Sequence, residues 1–284
     1  MNKNGGGAME HRMRVDLSGE VGIITGAGSG IGRETAARLH QDGASLVLSD
    51  IDRDAVRSAV KELGDSGRSV RSERDPGSPK PGRLHGVHAD VSADGDVKRM
   101  VEECLSRFGK IDFLVSNAGI VGPYEFEETT ADAWDRVFAV NTRGGFLCAR
   151  HALPSMKEKK KGRVIFVAST NGGKPGGYVI AYRASKAALI MLARSLSLHA
   201  APFGITVNAV CPGVTMTPLQ RELTENLLEK RGVSFDQYVA ERTKSVPLGR
   251  FTEMRDIADM VEFLVSDNGG YITGQALYVN GGEW

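Results

Sequence analysis

Val21-Gly22-Ile23-Ile24-Thr25-Gly26-Ala27-Gly28-Ser29-Gly30-Ile31-Gly32 is the stretch on which the fold turns. It begins as a short apolar run of the kind that forms a buried strand. It passes into a glycine-rich turn and continues as a helical pattern, Arg33 to His40, that stops near Gly43. A turn of this composition between strand and helix exposes backbone N–H groups at the positive end of a helix dipole, where a phosphate is stabilised. The glycines admit close backbone approach and unusual φ angles. The spacing is T-G-x-x-x-G-x-G rather than the commoner G-x-G-x-x-G, because position 31 is Ile. Many such loops are plain turns, but one at the head of a strand–helix–strand unit favours dinucleotide binding.

Working outward, Ser45 to Ser49 reads as the second strand and Asp50 follows it. An acid about 20 residues beyond the loop accepts hydrogen bonds from an adenosine ribose and repels a 2′-phosphate, so Asp50 favours NAD over NADP. The competing reading makes Asp50, Asp52 and Asp54 the acidic start of a helix. After the helix Ala55 to Leu63, the stretch Gly64 to Gly86 carries Pro76, Pro79, Pro81 and alternating charges. It reads as a mobile surface insertion that cannot bury enough apolar surface to order itself. A short strand at Val87 to Ala89 precedes Asp90-Val91. Helical spacing over Val97 to Phe108 comes next, then a strand at Ile111 to Val115 followed by Asn117-Ala118-Gly119. Strands alternating with helices predict a parallel, doubly wound sheet, in which ligands bind outside the carboxyl ends of the strands. Gly26, Asp50, Asp90 and Asn117 all fall at those ends.

The next helix is predicted from about Ala131 to Met156, with the amide of Asn141 on its apolar face, where it must find partners or hold a water. Arg163 to Ala168 is a fifth strand ending at Ser169. The glycine-rich connection Asn171 to Gly177 brings that hydroxyl back towards Tyr182-Arg183-Ala184-Ser185-Lys186, which opens a long helix. Residues four apart share a helix face, so Tyr182 and Lys186 lie over one patch of surface. A cation there lowers the phenol pKa from about 10 and makes the tyrosine an acid–base group. The bland alternative is a core aromatic and a solvated lysine. A sixth strand, Ile205 to Val210, leads into Pro212-Gly213. Residues 216–246 then read as a polar flap over the site, before a helix at Ile257 to Leu264 and a last strand at Ala276 to Val279.

With 284 residues and a net charge of +1, the chain suits one large domain and shows no basic excess for nucleic acid or an anionic membrane. The three cysteines are widely spaced, which gives neither a disulfide framework nor a metal site and points to a reducing, cytoplasmic setting. No apolar run reaches the roughly 18 residues of a membrane-spanning helix. Residues 1–12 are polar and Gly-rich and read as a disordered tail.

Together these motifs resemble the short-chain dehydrogenase/reductase family of the T-G-x-x-x-G-x-G and Y-x-x-x-K type, from about Leu17 to Trp284. The resemblance implies an α/β Rossmann domain over residues 13–284, a sheet of seven parallel strands, and a homotetramer. It implies that Tyr182 is the general acid/base and that Lys186 lowers its pKa and binds the nicotinamide ribose. Ser169 polarises the substrate oxygen, and Asn141 holds a proton-passing water. Gly26, Ser29, Gly30 and Ile31 would surround the pyrophosphate and its neighbouring ribose. Asp50, with Ile51, selects NAD. Asp90 and Val91 contact adenine, and Asn117, Ala118 and Gly119 face the ribose. Pro212 and Gly213 lead to Thr215 and Thr217, which fix the carboxamide. No metal is expected.

Ala168-Ser169 replaces the family's more usual double serine, and the insertion at 64–86 is longer than usual. The expected reaction is NAD-dependent interconversion of a secondary alcohol and a ketone, with a loose likeness to polyol and diol dehydrogenases in the flap and the Gly-Gly-Glu-Trp end. Alternatives are a 3-oxoacyl-thioester reductase, a catalytically silent nucleotide-binding scaffold, and a flavodoxin-like protein with unrelated ligands.

Overall fold

The alternation read from the sequence folds into a single sheet of seven parallel strands, ordered β3-β2-β1-β4-β5-β6-β7. In this computed structural model the described residues are 15–69, 79–218, 220, 221, 224, 225, 228 and 232–284, with only the backbone of 66–69. The predicted tail, 1–12, and part of the flap lie outside them. The strands are β1 (Val21–Thr25), β2 (Ser45–Asp50), β3 (Leu84–His88), β4 (Phe113–Ser116), β5 (Gly162–Val167), β6 (Ile205–Pro212) and β7 (Ala276–Val279). The helices are α1 (Gly30–Gln41), α2 (Arg53–Ser69), α3 (Asp94–Phe108), α4 (Ala131–Phe138), α5 (Gly144–Lys159), α6 (Ile180–Ala200), α7 (Phe235–Thr243) and α8 (Met254–Val265). The central strands are buried along their whole length because both faces of a parallel sheet are covered.

Alternate strand residues feed two cores. Ile23, Val47, Leu114 and Val164 point to the face packed by α3, α5 and α6. Ile24, Leu46, Leu48 and Ile165 point to the face that α1, α2 and α8 cover. A buried ion pair, Arg38 Nη2 to Glu262 Oε2 at 2.7 Å, ties α1 to α8. The strand order reverses beside β1, whose neighbours are β2 and β4. The crevice forms at that point, at the carboxyl ends.

Two expectations are corrected. The segment Gly64 to Gly86 is ordered at both ends: α2 continues to Ser69 and β3 begins at Leu84. Backbone pairing orders it where apolar burial is scarce, since β3 matches β2 from Leu46↔Leu84 to Asp50↔His88. Residues 70–78 lie outside the described residues. The helix expected from Ala131 to Met156 is interrupted by a π-helical turn, Ala139–Arg143. Such turns mark places where a side chain is re-aimed, and here the turn carries Asn141. The helix that Tyr182–Lys186 was expected to open is α6, which begins at Ile180 and carries Tyr182 in its first turn.

Candidate active site

At one end of the crevice the chain presents backbone. Gly26 and Gly30 have φ of +63° and +55°, in the left-handed region that favours glycine. A Cβ on Gly32 would lie 2.1 Å from the Gly26 carbonyl oxygen, so the loop folds back on α1 only because that atom is missing. Asn117 braces the loop from β4. Its Nδ2 donates to the carbonyls of Thr25 (3.0 Å) and Gly26 (3.1 Å), while the backbone N–H groups of Asn117 and Ala118 both donate to Thr25 Oγ1. The exposed Ser29 starts α1 in extended conformation, and its side chain makes no cap hydrogen bond. The first N–H groups of α1 thus face the crevice with no side chain capping them from Ser29, as a phosphate site requires.

Asp50 sits beside this loop. Its Oδ2 accepts from the Gly28 N–H at 2.9 Å and its Oδ1 from the Asp52 N–H at 3.0 Å. Each carboxylate oxygen keeps a further lone pair, and the neighbouring Ile51 is exposed. Asp90 accepts from both the N–H and the hydroxyl of Ser92. Burial alone would raise its pKa, but the two bonds from Ser92, with Arg136 beside it, hold it below the ordinary value. The Val91 side chain is buried in the core, where a Cβ on Gly144 would come within 2.8 Å of it. Thr217 reaches across the crevice, its methyl 3.3 Å from where a Gly30 Cβ would be. Thr215 is buried, and its hydroxyl donates to the Gly213 carbonyl at 3.2 Å. These features form a cradle of the shape and polarity that a dinucleotide fits.

Ser169, Tyr182 and Lys186 come together at the middle of the crevice. Tyr182 is half-buried, and the Ser169 hydroxyl hydrogen-bonds to its phenol. The Lys186 Nζ lies 5.6 Å from the Tyr182 ring centroid and donates to the Val167 carbonyl at 2.8 Å. Here one expectation fails. Burial pushes the Tyr182 phenol up, outweighing the bond from Ser169. The ammonium stands over the ring, and burial pushes Lys186 itself down to about 8. On that balance the protein's own groups favour the protonated phenol.

Asn141 is committed more fully than the sequence implied. Its Nδ2 donates to the Ile120 carbonyl (2.9 Å) and the Ser185 hydroxyl (2.9 Å), and its Oδ1 accepts from the Ile120 N–H (2.8 Å). It locks the turn after β4 onto α6, and its side chain offers a water only the second lone pair of Oδ1. Gly119 fits between, where a Cβ would lie 3.2 Å from that oxygen and 3.4 Å from Lys186 Nζ.

The crevice around Tyr182 is a cleft of about 590 Å³ that runs from Ile31, Thr215 and Thr217 on the cradle side to Ser169, Asn171 and Gln220. The stacked Tyr124 and Tyr178 rings, 4.6 Å apart, form one side, and Tyr238 and Arg242 of α7 line the flap side. Val179, at φ 49°, sets the entry to α6, and its N–H donates to the Tyr124 carbonyl. A β-branched residue in that region is held only by its surroundings. Sequence reasoning missed the charged residues of this wall: Lys174, Arg183, Arg242 and Glu283. Arg183 was visible inside the Tyr182–Lys186 motif. The others come from segments far apart in the chain, and nothing in the sequence pairs them. Among the described residues, no group of three or more metal-ligating side chains is placed to hold an ion, and no helix is long and apolar enough to cross a membrane.

The chain matches, over residues 26–283, the family model described as Enoyl-(Acyl carrier protein) reductase. A 3-oxoacyl-[acyl-carrier-protein] reductase of Thermotoga maritima is 34% identical, over 94% of this chain and 98% of that protein. Among solved structures, an NAD+-bound xylitol dehydrogenase is 30% identical with a TM-score of 0.84, covering 94% of this chain and 99% of the other. The L-sorbose reductase of Gluconobacter frateurii, complexed with NADPH and L-sorbose, is 28% identical with a TM-score of 0.86, over 95% and 98% of the two chains. Likeness of that extent, in a chain that carries the T-G-x-x-x-G-x-G loop after β1 and the Tyr182–Lys186 pair on α6, leaves one conclusion: the chain belongs to the short-chain dehydrogenase/reductase family and is an oxidoreductase.

Proposed function

We propose that this protein interconverts a secondary alcohol and a ketone with NAD as the hydride carrier. The observation that carries this reading is the meeting of Ser169, Tyr182 and Lys186 beside a backbone cradle for a dinucleotide. Gly26, Ser29, Gly30 and Ile31 would hold the pyrophosphate end. Asp50 and Ile51 would meet the adenosine ribose, and Asp90 and Val91 the adenine. Asn117 to Gly119 and Lys186 would flank the nicotinamide ribose, and Pro212, Gly213, Thr215 and Thr217 the carboxamide. When bound, the oxidised nicotinamide would supply the hydride acceptor and a positive charge that favours the phenolate.

The chain's residues do the rest. Ser169 donates a hydrogen bond to the substrate oxygen. Tyr182, as phenolate, takes the hydroxyl proton during oxidation and returns it to the carbonyl oxygen during reduction. Lys186 stabilises that phenolate through its charge. Asn141 fixes the turn that keeps Gly119 against Lys186. The polar side chains of Asn171 and Gln220 in the cleft favour a hydroxylated substrate, a polyol or diol. The Thermotoga relative keeps a second reading, reduction of a 3-oxoacyl thioester, in view.

The test is a pair of titrations with NADH and NADPH, followed by turnover on secondary alcohols and ketones. NADH is expected to bind the more tightly, because a 2′-phosphate meets the Asp50 carboxylate. Asp50→Ala is expected to narrow that preference by about tenfold, the effect of removing one like charge at close range. Tighter binding of NADPH by the unaltered protein overturns the NAD assignment. Turnover of thioesters alone moves the substrate to the second reading.

A further inference from the structure

Among the described residues, the wall of the cleft beyond Tyr182 carries more positive charge than its carboxylates neutralise. Glu283 is buried, 4% exposed, and its Oε1 is shared by two cations: Lys174 Nζ at 2.8 Å and the guanidinium of Arg242. One carboxylate between two cations leaves one positive charge over. Arg183 adds another. Its Nε donates to the Tyr178 carbonyl at 2.9 Å and its Nη1 to the Lys174 carbonyl at 3.1 Å. Among the described residues no carboxylate lies within ion-pair distance of it. Burial disfavours its charged form, as a cation without a counter-ion in a partly dry wall must experience.

The chain is shaped to keep Arg183 there. A Cβ on Gly176 would fall 2.3 Å from the guanidinium carbon, so the glycine-rich connection wraps the charge closely. Glu128, the other acid lining the cleft, is exposed, and its charge is weakened by water.

We propose that this wall binds an anionic group of the substrate, a carboxylate or a phosphate monoester carried at a distance from the reacting carbon. The inference rests on the dehydrogenase reading and narrows its substrate class. Arg183, with Nε and one Nη1 hydrogen committed to the Tyr178 and Lys174 carbonyls, keeps Nη2 and the second Nη1 hydrogen for such a group. Lys174 and Arg242, held in place by Glu283, supply the second positive charge. Arg183 follows Tyr182 in the first turn of α6, so an anion at this wall lies in the same cleft as the phenol. Its charge sets how the reacting carbon is presented.

The experiment uses matched substrates with NADH: keto acids of increasing chain length against their methyl esters, and hydroxyacetone phosphate against hydroxyacetone. The readout is the ratio of kcat/KM for the charged and neutral members. At the best chain length the charged member is expected to lead by about tenfold or more, as charge-assisted hydrogen bonds allow. The lead should shrink as salt rises. Arg183→Ala should cut the ratio by a comparable factor, with Arg183→Lys restoring part of it. Arg242→Gln should lower it less.

A role confined to holding the loop moves both members together and leaves the ratio unchanged. That result, or a ratio near one for every pair in the unaltered protein, overturns the proposal. Preference for only one kind of anion supports it and identifies the group. NADH titration separates the two levels. Binding and turnover without an anion preference overturn this inference alone, whereas failure to bind either nicotinamide cofactor overturns the dehydrogenase reading and this one with it.

Discussion

At one end of the cleft the surface that faces a ligand is backbone: the N–H groups after Gly26 in the loop that Asn117 braces, the start of α1, and the turn after β4. At the other end it is side chain: Tyr124 on Tyr178, Arg183 against Gly176, and Glu283 between Lys174 and Arg242. A backbone site needs positions where no Cβ fits, and those appear in a sequence as glycines at fixed spacing. A side-chain site needs only that a few charged residues meet. Residues 174, 183, 242 and 283 meet through the fold and leave no spacing to read. The contrast explains why the family and the cofactor class are plain from the chain while the substrate is not.

Tyr182 stands where the two ends join, and replacing it should have the largest effect. Tyr182→Phe removes the proton carrier and keeps the ring under Lys186. We expect kcat to fall by about 10²–10⁴, the usual worth of general acid–base catalysis, with NADH affinity changed only a few-fold. Steady-state turnover and a cofactor titration check this. Turnover close to that of the unaltered protein would mean that the proton moves through another group.

The lysine beside it gives the next effect, through pH. Lys186 titrates at about 8 in the folded protein against an ordinary 10.5. Between those values the unfolded chain binds the proton more strongly, so stability from this group rises with pH from about 8 towards 10.5. Below 8 the cost of burying the charge is fully present. A shift of this size corresponds to roughly 3 kcal/mol across the window. The buried thiols act in the opposite sense, since burial raises Cys104 and Cys148 to about 12 and Cys211 to about 11. The measurement is therefore the difference between the unaltered protein and Lys186→Met in denaturant midpoint from pH 7 to 10. A gap that widens in favour of the unaltered protein is expected. A gap that does not move with pH would show that Lys186 keeps its ordinary pKa.

What was legible follows the same division. The strands, their order of appearance, and the placing of Gly26, Asp50, Asp90 and Asn117 at strand ends could be read because buried parallel strands are apolar runs and the turns after them are glycine-rich or polar. The pairing of Tyr182 with Lys186 could be read from helical spacing. The direction of the phenol's pKa could not. Spacing reports that a cation is near, but burial comes from the whole fold, and here it outweighs the bond from Ser169. The length of α2 and the start of β3 were hidden too, because the prolines and glycines of 64–86 conceal a ladder that only the partner strand supplies. The commitments of Asn141 depend on a π-helical turn, which no local pattern announces.

The smallest of these effects tests the backbone end on its own terms. Gly32→Ala adds one methyl group, 2.1 Å from the Gly26 carbonyl oxygen and 2.5 Å from Asn117 Nδ2. The helix interior itself gains from the exchange, because alanine is the better helix former by about 1 kcal/mol. The loop must move aside, and with it the N–H groups that a pyrophosphate would meet. Overpacking of this kind costs about 1–3 kcal/mol, which we expect to appear as a loss of about tenfold or more in NADH affinity, read by fluorescence titration. The anion preference of the far wall, read as a ratio at saturating cofactor, should survive, since none of its residues touches the loop. If affinity is unchanged, the loop yields easily and the backbone shape is not what holds the cofactor. If the anion ratio falls as well, the two ends are mechanically one.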